Sequence, residues 1–182
     1  MLEITNKTKQ KINQKTTIAV AEGLLNFYKK KNQEVSLVII GDKKMQSLNN
    51  NFRGLNKTTD VLSFSALKQL SDFRKRPKEQ PIGGKIIKGQ SVRSKAILHN
   101  ISFDIPPVFL GEIFINIQEA ARTKKYQEIF NKTKSRDYIF YFLLVHGLLH
   151  LLGYDDQTEK SRQAMIILGE RYLSGFFKEK VI

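Results

Sequence analysis

The chain has 182 residues, 41% hydrophobic and 26% charged, which fits one compact domain with a sizeable core and excludes disordered and fibrous classes. It contains no cysteine, so disulfides, thiolate zinc sites and thiol nucleophiles are ruled out, in keeping with a cytoplasmic protein. Thirty-one Lys and Arg against 17 Asp and Glu leave a net charge of +14. That excess predicts a polyanionic partner, nucleic acid first among them, against the plainer reading of lysine-rich solvated faces.

In chain order, Met1 to Gln10 is polar and lacks the apolar run of a secretory signal; residues 1–8 read as a short strand. Ile18, Ala21, Leu24, Leu25 and Tyr28 recur at helical spacing within an amphipathic helix from Ile12 to about Lys30. Val35 to Ile40 is a β-branched run that ends at Gly41 and predicts a buried strand. Asp42 then stands where an N-cap belongs, before a short helix to about Asn50. Arg53 to Asp60 is a polar loop, and Val61 to Phe64 begins another strand.

Residues 65–107 differ from the rest. They carry nine Lys or Arg against three acids and all four prolines, which predicts a basic insertion with a hairpin around Gly83-Gly84. His99 falls in it and reads as a surface residue. Gly111 to Ile117 is expected to be a strand, with a helix from Gln118. Lys134 to Leu152 is the longest helical pattern and stops at Gly153; Glu159 to about Phe177 is the last helix. Overlapping the Lys134–Leu152 pattern, Tyr138 to Tyr154 runs 17 residues without a formal charge, but a membrane span needs about 20 apolar residues. A buried central helix is expected instead, with no membrane contact. Strands and helices mix without strict alternation, so the fold class is α+β, with about four strands packed against helices.

The chemistry concentrates at the end of that central helix. His146 and His150 lie at i and i+4, which places them on one face with Cβ atoms about 5–6 Å apart. Two imidazole nitrogens can then meet one ion at about 2.0–2.1 Å. Gly153 ends the helix and lets the chain turn back, so that Asp156 supplies a carboxylate; Asp155 competes for that role, but the spacing selects Asp156. Three donors and an open position make a catalytic rather than a closed metal site. The frame H-x-x-x-H-x-x-G-x-x-ligand is that of metzincin proteases, except that their glutamate base is Gly147 here. The plainer reading, two satisfied core histidines, does not explain the paired carboxylates beside the glycine.

Three blocks carry a family likeness: Asn51 to Phe64 (NFRGLNKTTDVLSF), Leu110-Gly-Glu112-Ile, and the segment from His146 to Asp156. In these the chain resembles the YbeY family of bacterial endoribonucleases and rRNA maturation factors. It departs from the family pattern where Asp156 replaces a third histidine, where Glu112 replaces aspartate, and in a longer segment before Leu110. His₂-carboxylate is a known catalytic zinc set, though it lowers the net charge of the site by one unit.

The resemblance implies a single domain over residues 1–182 with a mixed sheet. It also implies one Zn²⁺ per chain held by His146, His150 and Asp156, with another divalent ion as the alternative. Arg53 would face the cleft and clamp a phosphate. Thr58, Thr59 and Asp60 either order that cleft or make an ordinary turn. Glu112 either supports a ligand histidine or caps the strand end. The implied activity is metal-dependent, single-strand-specific endoribonuclease action on RNA, in small-subunit rRNA 3′-end maturation and ribosome assembly. The alternative is a non-catalytic rRNA-binding assembly factor with a structural metal; a metalloprotease is disfavoured by Gly147 and the basic pI.

Overall fold

A computed structural model describes residues 1–66, 108–130 and 133–178. The expected hairpin at Gly83-Gly84, His99 and nearly all of the basic segment lie outside the described residues. The elements are β1 (Leu2–Asn6), α1 (Gln14–Phe27), β2 (Gln33–Ile40), α2 (Asp42–Arg53), β3 (Val61–Ser65) and β4 (Val108–Asn116). There follow α3 (Ile117–Ala121), a 3₁₀ turn (Thr123–Tyr126), α4 (Gln127–Phe130), α5 (Arg136–Leu151) and α6 (Glu159–Lys178).

Among the described residues the strands form one mixed sheet in the order β1-β2-β4-β3, with β1, β2 and β4 parallel and β3 antiparallel to β4. This is the α+β class that the mixture of elements predicts. The main core lies between one sheet face and α1, α5 and α6. On the other face, α2 lays Met45 and Leu48 over Ile40, Leu62 and Phe114.

Helix α5 is buried nearly all round, from Ile139 to Leu149, because it runs through the middle of this core. Its uncharged sequence is therefore spent on protein contacts, and no described helix is long and apolar enough to cross a membrane. Ser135 caps it, its side chain accepting from the Tyr138 N–H.

Several boundaries differ from the sequence reading. Helix α1 starts at Gln14, where Asn13 accepts from the Thr16 N–H. Asp42 is the first residue of α2 rather than its cap, because its carboxylate is taken up by Arg122 and Asn116. The helix also runs on to Arg53, where Gly54 turns left-handed (φ 68°). Strand β4 begins three residues early, since Val108 and Phe109 already pair with Gln33 and Glu34; Leu110 is then an extra residue that bulges into the core. Gly111 follows with φ 151°, and a Cβ there would lie 2.3 Å from the Phe64 carbonyl oxygen.

Candidate metal centre

Helix α5 ends in a turn that builds half of the site. The Gly153 N–H bonds to the His150 carbonyl and the Tyr154 N–H to the Leu149 carbonyl, both at 3.0 Å, with Gly153 at φ 100°. This paired closure needs a residue tolerant of the left-handed region, which explains the glycine. It reverses the chain so that Asp156 comes back over the last turn of the helix.

The three expected donors converge there. His146 Nε2 and His150 Nε2 are 3.2 Å apart, and Asp156 Oδ2 lies 3.4 Å from the first and 3.6 Å from the second. Tetrahedral donors around an ion at about 2.0–2.1 Å are about 3.3–3.4 Å from one another, so these three atoms match one face of such a shell. The donor types, two imidazoles and a carboxylate, are those of catalytic zinc sites. The residues fit a divalent ion. Among the described residues this is the one group of three or more such donors that meets so closely.

The surroundings favour ligand forms. His150 Nδ1 is 3.1 Å from the Tyr154 carbonyl oxygen, so the proton belongs on Nδ1 and Nε2 keeps its lone pair. Burial depresses the pKa of His146, and the neighbouring His150 adds to this against the pull of Asp156. The neutral imidazole that a metal requires is thereby favoured.

These donors line a cleft of about 930 Å³ with Arg53, Thr59, Asp60, Ser63, Ser65 and Tyr154. Arg53, exposed at the C-terminal end of α2, forms no ion pair among the described residues. Asp60 is held firmly, accepting from Lys125 Nζ at 3.2 Å and the Tyr126 hydroxyl at 3.1 Å. Burial raises its pKa, but Lys125 and these hydrogen bonds outweigh it and hold the carboxyl below the usual range. Glu112 touches neither histidine; its carboxylate accepts from Ser36 Oγ at 3.4 Å, within the sheet rather than at the end of the strand.

Several supporting residues escaped the sequence reading. Buried Asn116 donates to Asp42 Oδ1 at 2.8 Å and Thr58 Oγ1 at 2.9 Å, while its own Oδ1 caps α3. That ties the loop before Asp60 to two helices. Asparagine at the end of an apolar strand, ahead of a helix, was the available signal. Tyr28 donates to or accepts from Tyr154 at 3.0 Å, a contact across 126 residues with no local signature.

An α+β fold thus brings together two histidines and a carboxylate that could hold a metal ion, in a cleft shared with an arginine. The family profile described as Endoribonuclease YbeY matches residues 3–176. Similar curated proteins bear the same name. That of Leptospira interrogans is 36% identical over 138 residues, 75% of this chain and 82% of its own length. That of Heliobacterium modesticaldum is 31% identical over 147 residues, 80% and 71% of the two chains. The chain belongs to the YbeY family. A solution structure of a Thermotoga maritima protein aligns over 99% of this chain and 93% of its own at 20% identity, with a TM-score of 0.49.

Proposed function

We propose that this chain is a metal-dependent, single-strand-specific endoribonuclease acting in small-subunit rRNA 3′-end maturation and ribosome assembly, as one cytoplasmic domain spanning residues 1–182. The observation that carries this reading is the convergence of His146, His150 and Asp156 to within 3.6 Å in a cleft shared with Arg53. Family membership supplies RNA as the substrate class, and the +14 charge suits a polyanion.

In this reading His146, His150 and Asp156 hold one Zn²⁺, which when bound supplies Lewis acidity at the scissile phosphate. Arg53 binds and orients the phosphate through its guanidinium fork and stabilises the charge that builds on the phosphoryl oxygens. Asp60, fixed by Lys125 and Tyr126, sets the floor of the cleft beside the ligands. The Tyr154 carbonyl holds the His150 ring in one orientation.

The test is cleavage of single-stranded and duplex RNA by untagged protein, with metal content measured in parallel. Single-stranded RNA is expected to be cut, chelator to abolish cutting and zinc to restore it. Arg53→Ala is expected to lower cleavage roughly 10²–10³-fold with metal content unchanged. Undiminished cleavage by chelated protein or by His146→Ala would sink this reading.

A further inference from the structure

The C-terminal end of α1 carries an aromatic run that leads to the cleft. Phe27 is 72% exposed, and its ring meets Tyr28 edge-on with centroids 5.3 Å apart. Tyr28 meets Tyr154 edge-on at 5.9 Å, and their hydroxyls are hydrogen-bonded. Tyr154, 40% exposed, is itself part of the cleft wall. Three rings thus connect the metal centre to the outer end of α1.

Three lysines follow at once. Lys29 takes a left-handed conformation (φ 57°) that stops the helix, and Lys29, Lys30 and Lys31 are all exposed. None of them forms an ion pair among the described residues. The contrast is with Arg122 and Lys125, whose charges are committed to Asp42, Glu119 and Asp60. The cations at the end of α1 remain available.

Exposed rings at Phe27 and Tyr154, joined through the half-buried Tyr28 and set beside uncommitted point charges, suit a single-stranded polynucleotide: bases stack on rings while phosphates meet ammonium groups. A duplex hides its bases from such rings. An acidic peptide would use the lysines, but would not account for an aromatic run continuous with the cleft. We infer that Phe27, Tyr28 and Tyr154, with Lys29, Lys30 and Lys31, form a binding track for the single-stranded RNA that flanks the bond held in the metal cleft. The inference rests on reading the chain as an RNA endonuclease.

The test measures the affinity of the zinc-loaded protein for an unstructured oligouridylate across a salt series, with the RNA checked for intactness on a gel. The variant combining Lys29→Gln, Lys30→Gln and Lys31→Gln is expected to flatten the log–log salt slope by about 2, roughly 0.7 for each charge removed. A second variant combines Lys9→Gln, Lys11→Gln and Lys15→Gln, removing the same charge from exposed positions at the opposite end of α1. It is expected to keep the wild-type slope. Phe27→Ala is expected to weaken binding roughly fivefold or more without altering the slope, since a stacking surface is lost and no charge. Equal slopes for the two lysine variants, or wild-type affinity in Phe27→Ala, would overturn the track while leaving the endonuclease reading intact. Wild-type protein that loads zinc yet neither binds nor cuts RNA would overturn both.

Discussion

The hydroxyls of Tyr28 and Tyr154 stand 3.0 Å apart and join the end of α1 to the loop that carries Asp156. Burial, and then the hydrogen bond and charge of Tyr154, push the Tyr28 pKa up to about 12. A phenol in the unfolded chain titrates near 10. The neutral form is therefore favoured by folding: its contribution is complete below pH 10 and is lost as pH rises from about 10 to 12. Thermal melts of wild type are expected to show this alkaline loss, and Tyr28→Phe to show less of it. Ultraviolet titration would check the cause, because the variant should show one late-ionising tyrosine fewer, with Tyr126 and Tyr141 still raised by burial.

Gly147 occupies the position where metzincin-type helices carry their glutamate base, and here that position faces the sheet. A Cβ on it would lie 2.8 Å from Ile113 Cγ2 and 3.0 Å from Ser63 Oγ, with Ile113 fully buried. Overpacking of this kind costs about 1–3 kcal/mol, partly offset by the better helix propensity of alanine. Gly147→Ala is expected to lose about 1 kcal/mol in denaturant melts. Ile113→Ala, which frees the space, should make the two losses less than additive. Gly147→Glu is expected to unfold the core rather than confer peptidase activity. A stable Gly147→Glu protein would show that α5 can shift away from the sheet.

The parts of the site that were legible in the sequence are the local ones. His146, His150, Gly153 and Asp156 sit within one helix end, where spacing alone determines proximity. Arg53 was legible only through its family block, because nothing in the spacing between α2 and α5 says that their ends meet. Asn116, Tyr126 and Tyr28 act across 58 to 126 residues, so their roles appear only once the sheet order β1-β2-β4-β3 is known. The early start of β4 was hidden because the bulge at Leu110 breaks the alternation that marks a strand.

Asp60 links the cleft to the 3₁₀ turn through Lys125 and Tyr126, with Glu119 also facing Lys125 at 3.5 Å. Its folded pKa lies below the unfolded value of about 3.9, so its contribution is present above that pH and lost as pH falls through the folded value. Asp60→Asn is expected to lower the melting temperature at pH 7 and to flatten its fall below about pH 4. Melts from pH 2 to 7 would decide it: an unchanged acid limb would mean that other carboxylates carry the acid sensitivity.

Asp156 is the third expected donor, and its position on a reversed loop gives it little packing to lose. At 37% side-chain exposure, its removal should barely change the stability of metal-free protein. Asp156→Ala leaves two imidazoles, and zinc affinity is expected to fall roughly 100-fold or more, read as loss of the thermal stabilisation expected when zinc is added to wild type. Asp156→His restores three donors and raises the net charge of the ligand set by one unit. The more positive site favours ionised forms beside it, so the RNA-cleavage profile of the His variant is expected to move to lower pH. It should bind metal and cleave at least as well as wild type near neutrality, while wild type gains activity as pH rises. The assay runs all three proteins across pH with metal content measured in parallel. Full metal and full activity in Asp156→Ala would make Asp156 a turn residue and place the third ligand elsewhere.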